Sequence, residues 1–508
     1  MTITRRDILL GSSAVALAGC VALDAPSVPH TTPAGPDNVD LPPPPPREFR
    51  AAWVATVAHI DWPSAAGLSS EQQRAEALAI LDRARAIGLN ALILQVRPAA
   101  DALYPSALEP WSELLSGAQG RAPQPAWDPL AFWIREAHAR ALELHAWFNP
   151  FRARHSSAKS PAVAPHRALT HPAQVRRYGD QLWMDPGDEG AAEHSLAVVA
   201  DVLRRYDIDG VHIDDYFYPY PVPSAGAGSP DLPFPDDESY ARYRRGGGLL
   251  ARDDWRRDNV DRFVRRLYEL TRSLKPWVRV GVSPFGLGRP DRRPPGIAGF
   301  SQYDKLYADV EKWFAEGWLD YLAPQLYWQI GREGLQFPLL LDQWITENTK
   351  QRHLWPGLFT SLVTRGEPLG HRSWPAQEIV SQIALQRQRG ERAGGHIHFS
   401  MAALMQDRDG LVARLRDGPY AQPALVPATP WLGDAPPDGV RLQREGTRLR
   451  IEGGAGAARW AVWRRSGTGW TFAVQPVQDR WVDSAAAVAV AAVGRTGNLS
   501  PHAIWKPA

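Results

Sequence analysis

The chain has one cysteine, Cys20, in 508 residues. No disulfide can therefore form within it. Neither sign of charge predominates, with 57 Lys and Arg against 55 Asp and Glu. No broad basic stripe stands out, which argues against nucleic acid as a partner. The apolar stretch Ile8–Leu17 is too short for a comfortable membrane span. No Gly-rich phosphate loop follows the first expected strand, which weakens a dinucleotide-binding reading. His145, His212, His396 and His398 fall on three strands without helical metal-ligand spacing. No metal and no other cofactor is expected.

The chain does hold 21 tryptophans. Many must be core, but a surplus of aromatic rings also suits stacking on sugars. The N-terminus carries an export pattern: Arg5-Arg6, an apolar stretch and Leu17-Ala-Gly-Cys20. Thr4-Arg-Arg-Asp-Ile-Leu9 resembles a twin-arginine signal. Leu17-Ala-Gly-Cys20 resembles a bacterial lipobox, which implies lipidation of Cys20 and a membrane partner through the anchor. Val21 in the next position is compatible with outer-membrane sorting, facing the periplasm. Residues 21–46 are rich in Pro, Ala, Thr and Asp and end in Pro42 to Pro46. They are too poor in large apolar residues to build a core and should form a semi-rigid spacer.

From residue 50 to residue 401 one theme repeats: a helix pattern, then a short apolar strand. Eight strands are expected at 51–56, 91–96, 143–148, 210–213, 279–283, 321–326, 354–359 and 396–399. Helices are expected between them, among them 70–87, 129–141, 255–274 and 378–389. Alternation of this kind implies parallel βαβ units. Eight of them favour a closed (β/α)8 barrel, assigned to residues 47–425.

Alternation along each strand selects the barrel lumen. Ile93, Gln95 and Arg97 should face inward, as should His145, Trp147 and Asn149. So should His212 and Asp214, Gln325 and Tyr327, and His396 and His398. The polar inward residues gather at the C-terminal tips of the strands, where barrel enzymes carry their chemistry. The strand Gly210–Ile213 ends in two adjacent carboxylates, Asp214 and Asp215, followed by a run of aromatics beginning at Tyr216. Carboxylates beside aromatic rings suit glycoside hydrolysis. Asp214 is the first-choice catalytic residue, with Asp215 as its partner if the chain turns there. Asp101 and Glu109, on the long loop after the second strand, are further donor candidates. Expected substrate contacts are Asp61, Trp62, Arg97, Asp101, Glu109, Trp147, Asn149, Arg152, His212, Tyr216, Gln325, Tyr327 and Trp328.

A set of collinear motifs carries a resemblance. They are Arg47-Glu-Phe-Arg-Ala-Ala-Trp53, Ile60-Asp-Trp-Pro-Ser64, Gln95-Val-Arg-Pro98, Ala102-Leu-Tyr-Pro-Ser106 and Trp147-Phe-Asn-Pro150. Asp209-Gly-Val-His-Ile-Asp-Asp-Tyr-Phe-Tyr-Pro219, Trp255-Arg-Arg-Asp-Asn-Val260, Ser283-Pro-Phe-Gly286 and Ala323-Pro-Gln-Leu-Tyr-Trp328 complete the set. Together they resemble the glycosyl hydrolase-like 10 family of bacterial envelope lipoproteins, over residues 47–406. The resemblance implies a TIM barrel that hydrolyses peptidoglycan glycan strands stripped of stem peptides. The fourth-strand segment also looks like the chitinase-type signature, with His212 in place of its middle aspartate and Tyr216 in place of its acid glutamate. No Glu ends a barrel strand, so a non-catalytic glycan-binding or scaffolding envelope lipoprotein is the alternative.

Residues 431–508 read as six short strands between Gly- and Asp-rich turns, a small β-sandwich pattern. The segment resembles a fibronectin type III-like module. Trp460, Trp463, Trp470 and Trp481 are expected to be mostly core, with glycan binding as the other possibility.

Overall fold

The computed structural model describes residues 41–225, 228–364, 373–467 and 469–507. The expected signal peptide, Cys20 and most of the expected spacer lie outside them. The last prolines of the spacer do not: residues from Pro44 to Ala508 form one compact unit. The Pro46 carbonyl accepts a hydrogen bond from the Leu425 amide at 2.9 Å. The folded chain thus begins earlier than the spacer reading placed it.

Nine parallel strands form one curled sheet. They are β1 (Phe49–Val54), β2 (Ala91–Arg97), β3 (Glu143–Phe148), β4 (Gly210–Ile213), β5 (Arg279–Val282), β6 (Tyr321–Leu322), β7 (His353–Leu354), β8 (Gly357–Leu358) and β9 (Gly395–His398). Their order is β7-β6-β5-β4-β3-β2-β1-β9-β8. This is a TIM-like arrangement with helices in the connections. The two ends of the sheet, β7 and β8, are consecutive pieces of one segment parted by Trp355-Pro356. The first piece pairs with β6 and the second with β9.

Local signals explain why the elements start and stop. Helix α1 (Ser70–Ile87) opens on a capping box between Ser69 and Gln72 and closes on Gly88 at φ 96°. Only glycine takes that left-handed cap without strain, and it turns the chain into β2. Helix α2 (Pro129–His138) starts at Asp128, and α3 (Glu189–Arg205) at Asp188, whose side chain accepts from Ala191. Two carboxylates thus cap the helices that precede β3 and β4. Helix α4 (Ala376–Arg387) leads into β9.

Side chains on alternate faces build two cores. Leu92, Leu94, Leu144, Ala146, Val211 and Ile213 join the layer under the helices. Phe49, Trp53, Ile93, Trp147, Tyr321 and Trp355 fill the lumen. There Phe49 stacks on Trp355 with centroids 3.8 Å apart. Two lumen glycines make room for rings. A Cβ on Gly210 would meet the His145 ring at 2.5 Å, and one on Gly281 would meet the Tyr321 ring at 1.9 Å.

The expected lumen assignment fails on the last strand. Ile397 lies in the lumen core. His396 instead faces outward to Gln386 of α4, at 2.9 Å. His398 meets Thr360 and the Tyr420 hydroxyl, each at 2.8 Å. Here the lumen is lined by tryptophans and the helix side offers polar partners, so the usual apolar-outside rule is inverted.

Beyond the parallel sheet stand three antiparallel sheets: a small one of Arg152–Arg154, Val175–Tyr178 and Gln181–Met184, and two in the C-terminal segment. Of these two, one joins β10 (Val440–Glu445), β11 (Arg448–Gly453) and β14 (Trp481–Asp483). The other joins β12 (Arg459–Ser466), β13 (Gly469–Pro476), β15 (Val488–Val493) and β16 (Ala503–Trp505). Leu449, Ile451 and Val482 of the first share one core with Trp460, Val462 and Val490 of the second. Trp460 and Trp463 are fully buried. Trp470 and Trp481 are half-buried.

This C-terminal segment is ionically bound to the N-terminal end of the parallel sheet. Buried Glu143, at the foot of β3, meets Arg279 at 3.0 Å and Arg459 of β12 at 3.4 Å. Buried Asp209 meets His138 at 2.8 Å and Arg495 at 3.5 Å. Burial pushes both carboxyls up, but Arg279 beside Glu143, and His138 with Arg459 beside Asp209, hold them below their ordinary values.

Candidate active site

The C-terminal ends of the strands surround a cleft of about 320 Å³. Asp214 and Asp215 both line it, beside Trp147, Arg152, Tyr216 and Tyr220. Asp214 continues the inward register of β4. Asp215 reaches the same cleft because the chain bends at Asp215, just past the end of the strand at Ile213. Asp215 thus shares the cleft with Asp214.

Asp214 is 3 % exposed. Trp147 donates its indole N–H to Asp214 Oδ2 at 3.0 Å. The Asn149 amide lies 3.3 Å from Oδ1, and its own oxygen accepts the Arg152 backbone N–H at 2.9 Å. Burial pushes the Asp214 carboxyl up to about 7; the charge of Asp215 adds to this, and Arg152 opposes it. Burial also raises Asp215, against the pull of the Tyr220 hydroxyl that donates to it. Tyr220 is a residue the sequence reading missed. Its signal was present, since it extends the aromatic run that starts at Tyr216.

The remaining residues sort by what they touch. Gln325 lines the cleft and donates to the Ser283 carbonyl at 3.0 Å. Tyr327 lines it too, stacked on Phe359 at 4.5 Å. Tyr216 lies under the Arg152 guanidinium, 4.1 Å from ring centroid to Cζ.

Several expected substrate contacts serve the scaffold instead. Arg97 donates to Glu109 through Nε at 2.8 Å and Nη2 at 2.5 Å. Its Nη1 donates to the Asn149 carbonyl at 2.5 Å. Both side chains are sealed from solvent, so Arg97 is a clamp between β2, its loop and the tip of β3. Burial raises Glu109, but Arg97 and His194 pull it down to about 2. A carboxyl held that low is no proton donor. Trp62 is fully buried, edge-on to Trp133 at 5.4 Å, and donates to the Gln73 carbonyl at 3.0 Å. Asp61 accepts from Ala55, Ser400 and Ala402. It ties the end of β1 to the end of β9, and burial raises it to about 6. Trp328 packs edge-on to Phe285 and is not among the residues lining the cleft. Asp101 lines a smaller hollow, which shares Val57, Ala58 and His155 with the cleft. Burial raises Asp101 to about 7, and its Oδ1 has no hydrogen-bond partner.

His212 lies beneath the cleft. Trp53 donates to its Nε2 at 3.1 Å, and Ser283 Oγ lies 3.1 Å from the same atom. Its Nδ1 is 2.9 Å from the Tyr321 hydroxyl. That hydroxyl is also 2.9 Å from His145 Nδ1, and His145 Nε2 is 3.2 Å from Glu143. An indole only donates and a carboxylate only accepts. The protons are then assigned in one direction: Trp53 to His212, His212 to Tyr321, Tyr321 to His145, His145 to Glu143. Burial pushes His212 well below its ordinary value, so it is neutral and its Nε2 is an acceptor. Among the described residues, no cluster of three or more His, Cys, Asp or Glu could hold a metal.

Residues 48–368 match the glycosyl hydrolase-like 10 family. The chain belongs to that family. It is 41 % identical over 406 residues to glycosyl hydrolase YngK of Bacillus subtilis (strain 168), covering 78 % of this chain and 77 % of that protein. It is 33 % identical over 359 residues to glycosyl hydrolase DigH of Escherichia coli (strain K12), covering 67 % and 79 %. Among solved structures it is similar to the PgaB (BpsB) glycoside hydrolase domain from Bordetella bronchiseptica. That match has 14 % identity and a TM-score of 0.44, over 73 % of this chain and 98 % of that one. The family match includes the cleft carboxylates Asp214 and Asp215, the clamp Arg97–Glu109 and the Tyr216–Tyr220 run.

Proposed function

We propose that this glycosyl hydrolase-like 10 protein is a glycosidase that cleaves peptidoglycan glycan strands, those lacking stem peptides. One observation carries the reading. Two neighbouring carboxyls share an aromatic-walled cleft, and burial holds one of them near pH 7. A carboxyl protonated at neutral pH is what the leaving glycosidic oxygen requires. Asp214 is assigned as the general acid. Asp215, oriented by the Tyr220 hydroxyl, is assigned to stabilise, as a carboxylate, the positive charge that develops on the sugar ring. Tyr216, Tyr220 and Tyr327 supply faces for sugar rings, and Trp147 and Asn149 orient Asp214.

The surrounding architecture follows from the same reading. The segment β7–β8 bonds to both neighbours, so eight strand positions close the (β/α)8 barrel, within residues 47–425. The two antiparallel sheets of residues 431–508 form a fibronectin type III-like β-sandwich. Lipidation of Cys20 anchors the protein to the outer membrane, with the barrel in the periplasm. Serine at position 20 should release it from the membrane fraction; unchanged fractionation overturns the anchor.

The test of activity is digestion of purified, stem-peptide-free glycan strands, with products followed by their new reducing ends. Products from the wild type and none from Asp214→Asn are expected. Binding without products from the wild type would establish the non-catalytic alternative.

A further inference from the structure

Two buried arginines, Arg97 at the end of β2 and Arg152 just after β3, differ in their hydrogen bonding. The Arg97 guanidinium is fully engaged by Glu109 and backbone carbonyls. Arg152 is 3 % exposed, yet its Nε–H has no hydrogen-bond partner. Its Nη1 reaches one carbonyl, that of Pro98, at 3.4 Å. Among the described residues, no ion pair to Arg152 is present within 4.0 Å. Arg152 nonetheless lines the cleft. The Tyr216 ring lies 4.1 Å from its Cζ and the Trp183 ring 5.8 Å. The planar head is thereby held in place before any ligand arrives.

A buried guanidinium with an open donor is costly unless something anionic completes it. The other polar groups lining the cleft are carboxyls, hydroxyls and amides, which recognise neutral sugar, and the His155 imidazole, which burial and Arg152 push below its ordinary value. We propose that Arg152 is a specificity residue that takes the free carboxylate of an acidic sugar. The proposal rests on the glycosidase reading of this cleft and names the substrate feature it selects. In a peptidoglycan strand the lactyl ether carries that carboxylate only when the stem peptide has been removed. With the peptide attached, the same carbon is an amide, neutral and bulkier. A guanidinium fork pairs with a carboxylate and not with an amide. Preference for bare strands thus follows from one charge. The arrangement also couples binding to chemistry. Arg152 draws Asp214 toward ionisation, so a substrate carboxylate that neutralises Arg152 helps Asp214 keep its proton.

The test separates binding from turnover. Bare glycan strands are compared with the same strands after conversion of their carboxylates to methylamides. Binding to Asp214→Asn is measured by calorimetry, and turnover with the wild type. Native strands should bind at least ~10-fold more tightly than amidated ones, the range expected for a charge-assisted pair. Arg152→Met should abolish that difference, and Arg152→Lys should retain part of it. Equal binding of the two strands, or a preference that survives Arg152→Met, overturns the proposal. If Arg152→Met does not fold, the comparison of the two strands on Asp214→Asn and on Arg152→Lys still decides. A binding preference without hydrolysis by the wild type would overturn the glycosidase reading and leave this one standing. Hydrolysis of both strands at one rate, with equal binding, would do the reverse.

Discussion

At the scale of single residues, the two cleft carboxyls differ in surroundings and should differ in effect. Asp214→Asn removes a proton donor while keeping shape. Turnover should fall at least ~10²-fold, the lower end of a general acid–base contribution. Its effect on stability has a definite sign. Burial raises this carboxyl from its ordinary value near 3.8 to about 7. The folded state therefore binds the proton more tightly than the unfolded state. The stability from this group is complete below about pH 4 and is lost as pH rises toward 7. Asp214→Asn should match the wild type in thermal midpoint at pH 4 and exceed it at pH 8. A lower midpoint at pH 8 would contradict the burial argument. In kcat/KM the loss of this proton should appear as an alkaline limb near pH 7. Asp215→Asn removes the neighbouring charge and should move that limb to lower pH in whatever activity remains. Tyr220→Phe takes a donor from Asp215, so the acid limb should move upward and activity should drop about 10-fold, roughly one lost charge-assisted hydrogen bond.

At the scale of elements, legibility followed how local the signal is. Helix α1 shows its start in Ser69 and Gln72 and its end in Gly88. The strands β2, β3 and β4 alternate cleanly, so Gln95, Trp147 and Asp214 were placed on the right face. Strand β9 alternates as cleanly but with the opposite sense, because what decides is the partner surface. Trp355 and Trp53 on one side and Gln386 and Tyr420 on the other come from distant parts of the chain. Some loop residues were misplaced for the same reason, while Arg152 and Tyr216 do line the cleft. Trp62 on a strand-tip loop resembles a sugar platform until Gln73 and Trp133 are seen to cover it. The pair Arg97–Glu109 was legible as two candidate site residues but not as each other's partner. Its role sets a prediction different from that of a substrate contact. Arg97→Met leaves Glu109 buried with the His194 imidazole as its remaining side-chain partner, and should cost about 3–5 kcal/mol of stability. Arg97→Met with Glu109→Leu should recover much of that in chemical denaturation. A single variant that kept full stability while losing substrate affinity would restore the substrate-contact reading.

At the scale of the whole molecule, the C-terminal segment is bound to the parallel sheet by buried charge. Arg459 and Arg495 complete Glu143 and Asp209 at the end of the sheet away from the cleft. Arg459→Met should therefore lower the stability of the entire chain by about 3 kcal/mol, as expected for breaking a buried pair. Unfolding followed by near-ultraviolet dichroism and by fluorescence should stay coincident, in one transition. Two separated transitions would show that the segment folds apart from the sheet. The sequence displayed the strands of this segment but gave no hint of that bond. Its acids and arginines lie far apart in the chain, 316 residues for Glu143 and Arg459.

The column of bonds from Trp53 to Glu143 has one further consequence. All its protons point the same way, from the cleft floor toward the far end of the sheet. An indole N–H cannot accept a proton, so at the top only the cleft-lining Ser283 hydroxyl, 3.1 Å from His212 Nε2, could pass one in, and every ring beyond it would then have to reverse. Asp214 and Asp215 are bonded to Trp147, Asn149 and Tyr220 and not to the column, and both open onto the cleft. Whatever sugar fills its mouth isolates their shared charge from the bulk until the product departs.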